Sequence, residues 1–225
     1  MDRKTKIIAT IGPASSSLEV LRRLILQGVN IARINFSHGT EQDNIQAIKN
    51  VRKINAELSV HTSILADLQG PKIRIGAMPE EGVDLKNGAK FTLDTTVEEG
   101  NVKTAKISYL NLPKDVKPGE RILLDDGKII LEVTDTNKST QVTTKVIAGG
   151  VLYSRKGVNL PNTVISTPSL TEKDRHDLKV AVENKVDWIG LSFVRSAKDV
   201  VELKEEIELL NGGAKVIAKI EKPEA

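Results

Sequence analysis

The chain has 225 residues, 39% of them hydrophobic and 28% charged, with a formal net charge of +3 and no cysteine. That length allows one large domain or two ordinary ones around a real core. The small charge, without a basic stripe interleaved with aromatics, argues against nucleic acid as a partner; the lack of cysteine excludes disulfides and thiolate metal sites. No run approaches the roughly 20 apolar residues of a membrane span. The apolar run Ile7 to Ile11 behind the early basic residues is too short for a signal peptide, so the expected compartment is the cytoplasm.

Lys6 to Ile11 is a short β-branched run stopped by Gly12-Pro13 and predicts a buried strand. Ser16 with Glu19 reads as a capping box, and Leu18, Leu21, Leu24 and Ile25 give a helical stripe that Gly28 closes. The stretch Ile31 to Gly39 starts as a second buried strand and ends as a polar cluster. Thr40 with Asp43 starts a helix carried by Ile45, Ile48, Val51 and Ile54, and Ser63 to Asp67 is a third strand ending on a carboxylate. Strand and helix alternating at this spacing imply parallel strands with crossover helices.

The texture changes at Gln69-Gly70-Pro71. From Lys72 to about Ile165 there is no helical stripe, only short β-rich runs broken by Asn87-Gly88, Pro118-Gly119, Asp126-Gly127 and Gly149-Gly150. Ile122 to Leu124 and Ile129 to Val133 flank Asp126-Gly127, a hairpin signal. The expected division is residues 1–70 as the first part of an α/β domain, 71–167 as an inserted small all-β domain, and 168–225 as the second part. In that second part Thr171 with Asp174 caps a helix through Leu178 and Val182, with Asn184 near its end. Asp187 to Val194 is a strand. Ser196 with Asp199 opens a helix through Val200, Leu203, Ile207 and Leu210 that Gly212-Gly213 stops, and Lys215 to Ile220 is a further strand.

Arg33, Asn35 and Ser37 share parity on the second strand, so all three project to one side while Ile34 and Phe36 project to the other. A guanidinium, an amide, a hydroxyl and then His38 make poor core but can hold a phosphate; the alternative is a strand end whose polar groups face solvent. Polar residues gather at the other strand ends too, as Asp67, Ser192, Lys219 and Glu221. A TIM barrel and a doubly wound sheet both carry chemistry there. No GxGxxG follows the first strand and no GxxxxGK[ST] occurs, which speaks against a dinucleotide fold and a P-loop. About five strands cannot close an eight-stranded barrel, so the sequence reads as the front portion of a larger fold.

Six stretches, in this order, resemble the pyruvate kinase family: KIIATIGPAS (6–15), IARINFSHG (31–39), ILADLQGPKIR (64–74), KGVNLP (156–161), DWIGLSFVR (187–195) and AKIEKPEA (218–225). The resemblance covers the whole chain. It implies an α/β fold, a partial TIM (β/α)8 barrel of about five strands with an inserted β-rich lid. It implies transfer of a phosphoryl group from phosphoenolpyruvate to ADP, giving pyruvate and ATP in glycolysis, with Mg²⁺ or Mn²⁺ and usually K⁺, in a homo-oligomer, a tetramer in the full-length form. By resemblance Lys219 and Arg33 are catalytic and bind substrate, with Ser192 and Phe193 walling the substrate pocket. Asn35, His38, Arg74 and Lys156 are expected on the nucleotide phosphates, and Glu221 on the divalent metal. Ser37, Asn35, Asp67 and the Leu68 carbonyl match a monovalent-cation site.

Two departures stand out. Lys72 occupies a position that holds glutamate in the monovalent-dependent members, and its ammonium could supply the charge that K⁺ otherwise brings. The family's second metal carboxylate and last three strands have no counterpart here, so these 225 residues alone are expected to give little turnover. Taken without the resemblance, Lys219 and Glu221 read as a surface ion pair, Asp67 as a cap or turn residue, His38 as a turn residue and Lys156 as a solvated lysine. Two other functions compete: a lyase or aldolase on a related barrel with Lys219 as Schiff-base nucleophile, and a non-catalytic truncated product.

Overall fold

The computed structural model describes residues 4–221. The chain divides into two compact units, Met1–Pro71 with Pro168–Ala225, and Lys72–Thr167. The first unit begins with β1 (Ile8–Ile11), α1 (Leu18–Leu26), β2 (Ile31–Asn35), α2 (Glu41–Leu58) and β3 (Ser63–Asp67). The second unit carries β4 (Val83–Leu85), β5 (Lys90–Asp94), β6 (Thr104–Lys106), the short α3 (Leu112–Asp115), β7 (Arg121–Leu124), β8 (Ile129–Thr136), β9 (Gln141–Ala148), β10 (Gly150–Leu152) and β11 (Val158–Asn159). The first unit then resumes with α4 (Glu172–Glu183), β12 (Trp188–Leu191), α5 (Ala197–Leu209) and β13 (Lys215–Ala218). Among the described residues no helix is long and apolar enough to cross a membrane.

In the first unit all strands pair parallel, in the order β1-β2-β3-β12-β13. Strands that are joined through helices must run parallel, because a crossover returns the chain to the same end of the sheet. Ala32 and Ile34 of β2, Leu21 and Ile25 of α1, and Ile48, Val51 and Ile54 of α2 meet in one buried cluster. Each fully buried Leu or Ile contributes about 1.5–3 kcal/mol, which is what fixes the faces of the helices. The odd residues of β2, Arg33 and Asn35, are left on the other face, half-buried.

Local chemistry sets the helix ends. Thr40 and Thr171 each form a capping box with the aspartate three residues on, Asp43 and Asp174. The cap of α1 falls one residue later than the sequence predicts. Ser17 accepts from Val20 N–H, while the Ser16 hydroxyl turns back to the Pro13 carbonyl. Gly28, at φ 96°, closes α1 as expected. The end of α5 differs: Asn211, at φ 55°, takes the left-handed position ahead of Gly212-Gly213, and Gly212 N–H reaches back to Ile207 O.

Three strands are shorter than their β-rich runs. β1 starts at Ile8 rather than Lys6, β12 stops at Leu191 rather than Val194, and β13 stops at Ala218 rather than Ile220. At β12 the cause is local. Ser192 and Phe193 turn, with Phe193 at φ 56°; the Ser192 hydroxyl donates to Leu68 O, and Phe193 N–H donates to Glu221 instead of to a neighbouring strand.

The second unit has its own core, centred on Phe91, Leu93, Ile107, Leu112, Ile122 and Leu131. Its larger sheet has the order β11-β7-β8-β9-β5-β6, and β4 pairs with β10. β7 and β8 form the antiparallel hairpin around Asp126-Gly127, with Leu124 opposite Ile129. The segment 73–77 joins the two edges of the larger sheet: Val158 N–H donates to Ile73 O and Ile75 N–H to Lys156 O on one side, and Gly76 N–H donates to Lys106 O on the other. The unit is not wholly β, since α3 adds one helical turn that Pro113 helps to start.

Candidate functional site

The site is built around the carboxylate that ends β3. Register puts Asn35 of β2 on one side of Asp67 and Gly190 of β12 on the other. A Cβ on Gly190 would lie 3.1 Å from Asp67 Oδ1, so the bare glycine leaves the carboxylate its space. Asp67 is 3% exposed. A charge so buried is costly unless it is paired and hydrogen-bonded, and here two cations from other strands meet it. Arg33 Nε donates to Oδ2 at 2.7 Å, with Arg33 Nη2 on the same oxygen, and Lys219 Nζ donates to Oδ1 at 3.1 Å.

Both cations are themselves positioned. Arg33 Nη1 donates to Thr10 Oγ1 at the end of β1, at 2.8 Å. Lys219 Nζ donates to Ser192 Oγ at 2.8 Å, and the buried Ser192 hydroxyl donates to the Leu68 carbonyl at 2.6 Å. Glu221 completes the cluster. Its Oε2 accepts from Phe193 N–H at 2.8 Å, and its Oε1 stands 3.5 Å from Lys219 Nζ. Phe193 itself takes a left-handed backbone, at φ 56°.

Asn35, Ser37 and His38 form the adjoining wall. Asn35 Oδ1 accepts from Ser37 N–H at 3.0 Å, which sets the amide orientation and turns Nδ2 toward His38 Nδ1, 3.2 Å away. With Asn35 as donor, His38 Nδ1 is the acceptor and its other nitrogen carries the proton. A groove of about 660 Å³ opens beside them, lined by Thr10, Gly12, Pro13, Ser16, Asn35 and His38 among others. The loop after β2 is held from behind, where Lys173 Nζ donates to Phe36 O at 2.8 Å.

Arg33, Asp67, Leu68, Ser192, Phe193, Lys219 and Glu221 are therefore in one cluster, with Asn35, Ser37 and His38 next to it. Lys72, Arg74 and Lys156 belong to the second unit. There Arg74 pairs with Gly157, and its Nη1 donates to Arg155 O at 2.9 Å. Lys156 Nζ lies 2.9 Å from Asp125 Oδ1. The Lys156 and Lys128 ammoniums hold the Asp125 carboxyl below the usual carboxylate range.

Sequence reasoning missed Thr10, Gly190 and the pairing of Asp67 with Arg33 and Lys219. Gly190 carried a signal, because a glycine inside a strand marks a close approach. Thr10 and the Asp67 pairs carried none, since both rest on contacts between distant segments.

The arrangement suits an anion. Arginine offers a planar fork of donors and lysine a compact charge, and both already point at one carboxylate. Polar side chains gathered at the carboxyl ends of parallel strands define the class as an α/β protein with a strand-end site. The family model described as "Pyruvate kinase, barrel domain" matches residues 2–225, and the chain belongs to that family. Pyruvate kinase 2 of Synechocystis sp. is 45% identical over 100% of this chain and 39% of its own length. The pyruvate kinase of Thermococcus litoralis is 41% identical over 99% of this chain and 46% of its own. That of Thermotoga maritima is 42% identical over 99% and 48%. The chain thus spans less than half the length of these relatives.

Proposed function

We propose that this chain supplies the phosphoryl-binding part of a pyruvate kinase, which moves a phosphoryl group from phosphoenolpyruvate to ADP and leaves pyruvate and ATP. One observation carries the reading: Arg33 of β2 and Lys219, directly after β13, converge on a single buried carboxylate. Phosphoryl transfer asks a protein chiefly for positioning and for positive charge around a metaphosphate-like transition state. In this reading Arg33 grips the transferring phosphoryl oxygens, and Lys219 offsets the charge shared between that group and the enolate oxygen it leaves. Ser192 and Phe193 wall the substrate, and Asn35 and His38 bind nucleotide phosphates along the adjoining groove.

Glu221 fits a divalent cation. It is a hard oxygen donor with side-chain exposure of 35% and with Oε1 engaged only at 3.5 Å. Mg²⁺ is commonly held by one or two carboxylates together with substrate oxygens and water. Such an ion supplies Lewis-acid charge stabilisation to phosphate and enolate oxygens. The oxygens matched to a monovalent ion fit less well. Asp67 already meets two cations, and Leu68 O already accepts the Ser192 hydroxyl.

In the same reading the five parallel strands are the first part of a (β/α)8 barrel, formed by residues 1–70 and 168–225. Residues 71–167 are an inserted β-barrel lid that brings Arg74 and Lys156 to the phosphates and excludes water on closure. The aldolase alternative is disfavoured by the surroundings of Lys219. A Schiff-base lysine must be free to lose its proton, whereas Lys219 Nζ is engaged by the Asp67 carboxylate and the Ser192 hydroxyl and lies beside Glu221, which favour the charged ammonium.

The test is a lactate-dehydrogenase-coupled assay of the natural gene product that carries these residues. Pyruvate should form only with phosphoenolpyruvate, ADP and Mg²⁺ all present. Lys219→Met should lower kcat by about 10²–10³-fold, the scale of losing one electrostatic stabiliser. No pyruvate from the wild-type protein, or a Lys219→Met variant within twofold of it, overturns the proposal.

A further inference from the structure

Asp174 is fully buried at the start of α4. As a capping residue its Oδ2 accepts from Thr171 N–H at 3.0 Å and from the Thr171 hydroxyl at 2.6 Å. Capping accounts for Oδ2 alone. Oδ1 reaches across the sequence, where it accepts from Gly70 N–H at 3.0 Å, three residues past the end of β3. A carboxylate buried among neutral donors is stabilised by such charge-assisted bonds and holds its partners firmly.

Gly70 is a sensitive point to hold. It sits at φ 67°, and a Cβ there would lie 3.0 Å from both Ser192 Cβ and Phe193 Cδ2 and 3.2 Å from Ser192 O. The backbone at residue 70 therefore rests directly on the turn that follows β12. Two residues earlier, Leu68 O accepts the Ser192 hydroxyl, whose oxygen accepts from Lys219. The residue beside Asp174 works similarly, since Lys173 holds Phe36 O in the loop after β2. The first turn of α4 thus supports two strand ends that carry the site.

We infer that Asp174 is a positioning residue for the phosphoryl site: by clamping Gly70 it fixes the Leu68–Ser192–Lys219 hydrogen-bond relay and hence the place of the Lys219 ammonium. The catalytic part of this inference rests on the proposed function; the structural part does not. A misplacement of about 1 Å in a transfer site can cost 10²-fold in rate, which is the effect expected of losing the clamp.

The experiment compares amide exchange and chemical shifts by NMR in the ¹⁵N-labelled natural gene product and its variants. Asp174→Ala removes both the cap and the clamp. Asp174→Asn keeps an amide oxygen for Gly70 N–H while weakening the cap, and Thr171→Val weakens the cap while keeping the clamp. Asp174→Ala should speed exchange at Gly70 by at least roughly tenfold, the scale of a lost bond to a charged group, and should shift the amides of Phe193 and Lys219. Asp174→Asn and Thr171→Val should disturb α4 and leave those site amides in place. If Asp174→Ala does not fold, Asp174→Glu, which moves the carboxylate by one methylene, should shift the same site amides.

In the coupled assay Asp174→Ala, or Asp174→Glu in its place, should lower kcat by about 100-fold with KM for ADP within roughly twofold. Asp174→Asn should restore most of that loss. Undisturbed site amides in the Asp174→Ala or Asp174→Glu variant overturn the inference, and so do site shifts in Thr171→Val as large as those in Asp174→Ala. If the wild-type protein makes no pyruvate, the proposed function fails, and the amide comparison still decides the part played by Asp174.

Discussion

Lys219 Nζ stands 3.1 Å from Asp67 Oδ1 across 152 residues of sequence, on the carboxylate whose other oxygen Arg33 holds. In the proposed function this makes Asp67 an internal stand-in for the transferring phosphoryl group. It keeps two like charges close together, and it ties β2, β3 and the end of β13 to one another.

Asp67→Asn should therefore destabilise the folded protein by about 3 kcal/mol, because removing one member of a buried ionic group leaves the others uncompensated. Urea denaturation of the natural gene product at neutral pH measures it. In the Asp67→Asn background Lys219→Met should cost nothing further, since the ammonium no longer has that buried partner. A loss below roughly 1 kcal/mol, the range of exposed ion pairs, would mean that the cluster is surface decoration.

What the sequence made legible was local. Thr40 with Asp43 and Thr171 with Asp174 read as caps because a cap needs only four consecutive residues, and Asp126-Gly127 read as a hairpin because its turn chemistry is contained in the loop. Strand ends were less legible. The apolar runs at Asp187 to Val194 and Lys215 to Ile220 continue past the last ladder bond, and β-propensity does not register that Phe193 N–H bonds Glu221 instead. Asp67 could be placed at a strand end, yet its two cationic partners depend on the order in which strands assemble. The second role of Asp174 was hidden for the same reason: its bond to Gly70 spans 104 residues.

Acid should weaken the first unit in part through Asp199. Burial pushes its carboxyl upward. The N–H groups of Arg195 and Ser196, the Ser169 hydroxyl and the Arg195 charge outweigh that and hold it below the usual range. A carboxyl whose folded value lies under its unfolded value of about 3.9 gives stability that is complete above that value and disappears as pH falls through the folded one. Asp199→Asn should thus lower the urea midpoint at pH 7, and the gap to wild type should close in acid as pH falls through the folded value. A gap of the same size at pH 7 and in acid would show that Asp199 acts by packing or neutral hydrogen bonding.

The response to potassium follows from the same carboxylate. Asp67 meets a guanidinium and an ammonium, and the Leu68 carbonyl is engaged by Ser192, so a further monovalent ion on these oxygens faces two fixed positive charges. At an effective dielectric near 20, like charges about 4 Å apart repel by about 4 kcal/mol, enough to offset most weak cation binding. Turnover by the natural gene product in tetramethylammonium buffer should accordingly change by less than roughly twofold when KCl is added at constant ionic strength. Strong activation by KCl would mean that Arg33 or Lys219 leaves Asp67 when the ion binds, and the Asp67 pairs would then describe a resting arrangement that the working site abandons.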